Sequence, residues 1–116
     1  MKGTRGVGAR VEWRARLHYL VRGYRTLATN AWAGGNELDL VVRRGRSLVF
    51  CEVKGKTGLE HGDPLEMVGP EKQRRIQRAA EAWVDAHPDV ADLDMSFEVV
   101  AERAGKLERV RAAFEG

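Results

Sequence analysis

NELDLVVRRGRSLVFCEVKGK, running from Asn36 to Lys56, holds two apolar runs on either side of a short polar reversal. Glu37 to Arg43 and Leu48 to Lys54 are rich in Val, Leu and Phe, and Arg44-Gly45-Arg46-Ser47 lies between them. Runs of this kind joined by a Gly-containing turn read as a β-hairpin. With Gly45 and Arg46 as the turn residues, antiparallel pairing sets Asp39 opposite Glu52 and Glu37 opposite Lys54. Like charges directly across a sheet destabilise the pair, so two carboxylates kept in that register call for a cation, and a divalent metal is the natural one. Alternation along the strand sends Glu52 and Lys54 to the side of Asp39, and Cys51 and Val53 to the other. Asp, Glu and Lys then converge on one spot.

A one-sided antiparallel sheet with a solvated face shows the same alternation without any chemistry, and a one-residue slip of the turn would separate the acids. Against that reading, the charges interrupt strands that are otherwise apolar, namely Leu38, Leu40, Val41 and Val42, then Leu48, Val49, Phe50 and Cys51.

The residues around this hairpin add further fixed spacings. They are Gly8, Glu12, Ala15 and Leu20, then Gly23-Tyr24-Arg25-Thr26-Leu27, Asn30, Glu37-Leu38-Asp39-Leu40, Val49-Phe50-Cys51-Glu52-Val53-Lys54, Gly62, Lys72 and Phe97. Together they resemble the PD-(D/E)XK nuclease superfamily and, within it, the uncharacterised bacterial YraN family, which is similar to Holliday-junction resolvases. The chain departs from that family's pattern at Asn36, where Gly is usual. It departs again at Gly55-Lys56, where a small residue and Arg are usual, and at Ser96-Phe97-Glu98, where Arg-Phe-Asp is usual.

The resemblance implies an α/β, restriction-endonuclease-like core in the order αβββαβ, a mixed central sheet flanked by helices. It also implies a metal-dependent endonuclease hydrolysing phosphodiester bonds, with branched or single-stranded DNA as expected substrate. Asp39, Glu52, Lys54 and Gln73 would be the catalytic residues. Mg²⁺ or Mn²⁺, which take oxygen ligands, would be held by Asp39, Glu52, the carbonyl of Val53 and Glu12. Lys56, Lys72, Arg74 and Arg75 would meet the nucleic acid, and similar resolvases act as dimers. The alternative is a nucleic-acid or protein binding module that keeps the scaffold without turnover. A purely structural role would have the acids paired with Arg14, Arg16 or Arg43.

Outward from the hairpin, the 116 residues fit a single domain, 1–116, with Met1 to Gly6 expected to be flexible. Charged residues at 32% and apolar ones at 43% suit a globular chain. The net charge is +3, but 15 of the 20 basic residues are Arg, whose planar fork suits phosphate. The single cysteine, Cys51, excludes an internal disulfide and reads as a small buried residue. No signal peptide or membrane span is legible, so a cytoplasmic location is expected. The glycines at 3, 6 and 8 follow no strand and do not make a phosphate loop.

Val7 to Arg22 reads as a helix whose buried stripe is Trp13, Leu17, Leu20, Val21 and then Tyr24, with Gly23 ending it. Glu12 at the margin of that stripe pairs with Arg16 at i+4 on spacing alone; the family match gives it to the metal instead. Arg25 to Trp32 reads as the first strand, with Asn30 bonding the turn. Thr57 to Gly69 reads as a loop over the site, and its His61 reads as solvated. Pro70 opens a second helix with Ile76, Ala79, Ala80, Trp83 and Val84 inward, stopped at His87-Pro88. Lys72 in its first turn opposes the helix dipole and needs a local anion. Met95 to Ala101 and Leu107 to Phe114 read as closing strands around Ala104-Gly105-Lys106.

Overall fold

The computed structural model describes the backbone of residues 7–57 and 68–114, and side chains within 9–55 and 68–114. Helix α1 spans Val7–Leu20, and strands β1, β2 and β3 span Arg25–Ala33, Asn36–Arg44 and Ser47–Thr57. Helix α2 spans Pro70–Asp85, followed by a 3-10 turn at Pro88–Val90 and strands β4, Asp94–Arg103, and β5, Lys106–Phe114. The expected core is present, with two closing strands. The expected flexible start, residues 58–67 of the expected loop with His61 and Gly62, and the Lys56 side chain lie outside the described residues; Thr57 belongs to β3 and not to the loop.

The five strands form one sheet in the order β1-β2-β3-β4-β5. All neighbours are antiparallel except β3 and β4, which run parallel. A parallel neighbour needs a long crossover, and α2 lies within it. The β2–β3 turn is the expected one: Gly45 has φ +60 and Arg44 pairs with Ser47.

Each face of the sheet carries its own apolar layer. On the α2 side, Val41, Leu48, Phe50, Phe97 and Val99 pack against Ile76, Ala79, Ala80 and Trp83. Phe50 meets Trp83 edge-on at 5.9 Å and stacks near Phe97 at 5.7 Å. This is the stripe the helical spacing predicts, with Val84 half-buried beside it. Each large aliphatic or aromatic side chain fully buried in such a layer contributes roughly 1.5–3 kcal/mol. Gly34, at φ +57, brings the β1–β2 turn onto α2 so closely that a Cβ there would lie 2.9 Å from the Arg78 carbonyl oxygen.

On the opposite side Leu40, Val42, Val49, Cys51 and Val100 pack against Ala15, Tyr19 and Tyr24. Here the expected stripe is corrected. Helix α1 docks through Val11, Ala15 and Tyr19, all fully buried, while Trp13 is 54% exposed, Leu20 59% and Val21 74%. The reason lies across the sheet. The Tyr19 hydroxyl donates to Glu98 Oε1 at 2.6 Å in β4, and small Ala15 lets the helix approach β3. Gly23 does end the helix, at φ +91, with Tyr24 N–H donating to the Tyr19 carbonyl at 3.0 Å, a Schellman closure.

Face alternation fails twice in β1 and once in β2: a bulge between Thr26 and Ala28 sets the neighbours Leu27 and Ala28 on the same layer. Ala28 and Ala31, three residues apart, both face the α2 layer, as do Leu38 and Val41, while Leu40 faces the α1 layer. The ladder register places Asn30 opposite Asp39 inside this irregularity, between the pairs Thr29–Leu40 and Ala31–Leu38. Asn30 holds φ +50, a left-handed conformation that costs a non-glycine residue of order 1–3 kcal/mol and that clusters at functional sites.

Candidate functional site: two acids at the seam between β2 and β3

The β2–β3 register is the one the turn predicts, running from Arg44–Ser47 to Leu40–Cys51. It stops one pair short of Asp39 and Glu52. Beyond that point a side chain replaces the ladder: Val53 N–H donates to Asp39 Oδ2 at 2.9 Å. The strands therefore part where the acids begin, and the Asp39 carboxylate fills the seam. The strict alternation expected around Asp39 is lost here, because the phase break places it inside the irregularity that Asn30 shares.

Asp39 is held in an electrostatically poor place. Burial pushes its carboxyl up from 3.8 to about 7, the nearby Glu52 carboxylate adds to the rise, and Glu12 adds further. The Val53 amide and the Lys72 ammonium oppose it without cancelling it. Desolvation and a like charge are the two effects that raise a carboxylic pKa, and strongly perturbed acids gather at functional sites more often than elsewhere.

Glu52 is buried and receives the Lys72 ammonium at 3.0 Å. That contact answers the expectation that a first-turn lysine of α2 needs a local anion. Glu12 on α1 is reached by the Asn30 amide, 3.4 Å from its Oε1. Asn30 thus links helix to strand instead of bonding the turn. No Glu12–Arg16 pair forms among the described residues; Arg16 lies over the Trp13 ring at 5.3 Å.

The remaining expected residues are placed as follows. Lys54 is half-buried in β3, and its ammonium has no partner among the described residues. Gln73 spends its amide nitrogen on the Val68 carbonyl at 2.9 Å, tying the start of α2 to the chain before it. Arg74 is exposed, and Arg75 reaches Glu71 at 3.5 Å one helical turn away.

Carboxylate oxygens are what a hard divalent cation takes, and the unbalanced charge on Asp39 is what such an ion would relieve. Among the described residues no three His, Cys, Asp or Glu side chains gather closely enough to form a complete cage. An ion here would rest on Asp39 and Glu52 and fill its shell with water or substrate oxygens.

Two further acids, Glu98 and Glu102, are buried on β4. Glu98 accepts from Tyr19 and, at 2.7 Å, from Arg109 Nε, and Arg109 lies 4.8 Å over the Tyr19 ring. Glu102 accepts from Arg10 at 2.8 Å and from Arg14. Arg14 therefore serves Glu102, and Arg43 bonds the Gly45 carbonyl. Asp39 and Glu52 are not neutralised by Arg14, Arg16 or Arg43, as a purely structural role would require. The departure of Glu98 from the family pattern was the one sequence signal pointing to this cluster.

Comparison with known proteins agrees with the resemblance read from the motifs. The profile of the uncharacterised protein family UPF0102 matches residues 11–101. A UPF0102 protein of Mesorhizobium japonicum is 39% identical over 94 residues, covering 81% of this chain and 74% of its own. One from Rhodopseudomonas palustris is 38% identical over 109 residues, covering 93% and 79%. One from Xylella fastidiosa is 38% identical over 116 residues, covering 98% of this chain and 96% of its own. The matched span runs from the buried face of α1 through the acids of β2 and β3 to Ala101, near the end of β4. With a fold consistent with a restriction-endonuclease-like core, the chain belongs to the uncharacterised protein family UPF0102.

Proposed function

We propose that this protein is a metal-dependent endonuclease that hydrolyses phosphodiester bonds in DNA, with branched or single-stranded DNA as its substrate. The observation that carries the reading is the seam itself: Asp39 lies where β2 and β3 part, desolvated and close enough to the Glu52 carboxylate that ionising it is unfavourable.

Asp39 and Glu52 would hold Mg²⁺ or Mn²⁺, and the Val53 carbonyl and Glu12 are the further oxygens the family resemblance offers. When bound, such an ion polarises a phosphate and makes its water a nucleophile at neutral pH. The residues do the rest. The Val53 amide fixes the Asp39 carboxylate in the seam, so the acid is oriented before substrate arrives. Lys54, without a partner among the described residues, sets positive charge beside the phosphate as negative charge grows on it. Lys72 holds Glu52 and, with an ion on that carboxylate, would be free to meet a phosphate oxygen. Gln73 keeps its amide oxygen for a water near the phosphate. Lys56, Arg74 and Arg75 bind the backbone, which makes affinity fall with salt.

The test is cleavage of junction, flap, duplex and single-stranded DNA with Mg²⁺ or Mn²⁺, with Asp39→Asn as control. Cleavage that needs the metal and disappears in the variant supports the assignment; equal cleavage by the variant removes it.

One observation favours a second reading. The Lys72 ammonium already neutralises Glu52 at 3.0 Å, an arrangement that suits a scaffold binding nucleic acid without turnover. That reading expects DNA binding unchanged by EDTA and no cleavage with any metal.

A further inference from the structure

Helix α1 turns its largest apolar residues away from the core. Trp13, Leu17 and Leu20, with Arg16, Arg25 and Thr26, line an open cavity of about 370 Å³ beside the start of β1. Helices of a folded chain ordinarily bury such a stripe, and contiguous exposed apolar surface marks interaction sites.

Two features say what would cover it. The first is charge: the lining includes two guanidinium groups and no acid. Arg22, in the turn after α1, and Arg44, over the Tyr24 ring, add positive charge nearby. A second copy of this face would set Arg16 and Arg25 against their own kind. The second is an unmet donor: Arg16 Nε is buried and has no hydrogen-bond partner among the described residues. Its guanidinium carbon lies 5.3 Å over the Trp13 ring, and its two terminal nitrogens can take a carboxylate as a two-pronged pair. The leucine walls offer a nucleic acid neither donors nor acceptors to read its bases, whereas they suit an inserted Leu, Ile or Phe side chain.

We infer that the outer face of α1 is a docking groove for a partner protein segment that carries an apolar side chain next to an Asp, Glu or C-terminal carboxylate. The apolar residue enters between Trp13, Leu17 and Leu20, and the carboxylate sits on Arg16 and Arg25. None of the residues lining the groove is among those proposed for the chemistry at the β2–β3 seam, so the two can be tested separately.

The experiment selects a random-sequence peptide library on the immobilised full-length protein and measures the enriched peptides in solution by fluorescence anisotropy. Enrichment of acidic residues beside Leu, Ile or Phe is expected. Affinity should fall with salt and drop about tenfold in each of Arg16→Gln, Arg25→Gln and Leu17→Ser. These residues lie outside the packed layers, and circular dichroism verifies that each variant stays folded. No enrichment, enrichment of basic or neutral peptides, or binding indifferent to all three substitutions overturns the inference. So does single-stranded DNA that binds with the same dependence on Arg16 and Leu17. A dimer in light scattering that Leu17→Asp converts to a monomer also overturns it, because the occupant is then a second copy.

Discussion

Two pairs of acids stand in one sheet, all buried but the half-buried Asp39, and are treated in opposite ways. Glu98 and Glu102, on β4, are each met by arginine: Arg109 and the Tyr19 hydroxyl hold the first, Arg10 and Arg14 the second. Asp39 and Glu52, at the β2–β3 seam, share one lysine and one backbone amide. The first pair fastens α1 and β5 to the sheet. The second pair leaves negative charge in a desolvated place, which adds nothing to stability. The proposed ion is what would relieve the second arrangement, and the difference can be broken from either side.

The largest effect is expected at Glu98. Glu98→Ala leaves Arg109 and the Tyr19 hydroxyl buried without their acceptor, and breaking a buried pair by removing one partner costs roughly 3–5 kcal/mol. Urea denaturation should show this as a large fall in midpoint, whereas Asp39→Asn should leave the midpoint unchanged or raise it. Equal losses in the two variants would erase the contrast.

Next in size is the response to metal. An ion that binds only the folded protein stabilises it by about 2.7 kcal/mol at a concentration 100-fold above Kd. Mn²⁺ should therefore raise the Tm of the wild type and leave that of Asp39→Asn where it was. Without metal, the raised carboxyl gives a pH signature. The Asp39 proton is held in the folded state up to about pH 7 but leaves the unfolded chain near 3.8. The unfolded state thus binds fewer protons between those values, and stability falls as pH rises through that window. The Asp39→Asn curve should lose that slope, and Mn²⁺ should reverse it in the wild type.

Lys72→Met separates the lysine from a metal as rivals for Glu52. It should tighten Mn²⁺ binding in calorimetry by about tenfold, or 1.4 kcal/mol, and weaken DNA binding. A weaker Mn²⁺ affinity would mean that the lysine supports the ion. The smallest change is expected for Glu102→Gln. Arg10 is half-exposed, so its ion pair is screened by water and salt; the loss should be well below that at Glu98 and should shrink further in high salt.

The hairpin was legible because period-two alternation and a glycine turn act over a few residues, and Gly45 and the Leu40–Cys51 register follow from them directly. The stripe of α2 was legible for a similar reason: Ile76, Ala79, Ala80 and Trp83 are its only strong apolar face. Helix α1 offers two faces. Apolar spacing favours Trp13, Leu17 and Leu20, yet the core takes Val11, Ala15 and Tyr19, because the acceptor of Tyr19 is Glu98, far along the chain. No periodicity carries that information. The same holds at the site. Pairing rules bring Asp39 near Glu52, but the phase break, the left-handed Asn30 and the Val53 amide bonded to Asp39 arise only once β1, β2 and β3 are assembled.

Cys51 is the sole thiol in the sequence; it is buried beside the seam, and burial pushes its ionisation upward. Thiol reagents attack the thiolate, so alkylation must wait until this part of the sheet opens. The rate at which a chromogenic disulfide reports that sulfur is therefore an intrinsic clock for the breathing of β3. The same clock, read with a candidate ion or peptide present, tells which of them clamps the strand shut, with no label added to the chain.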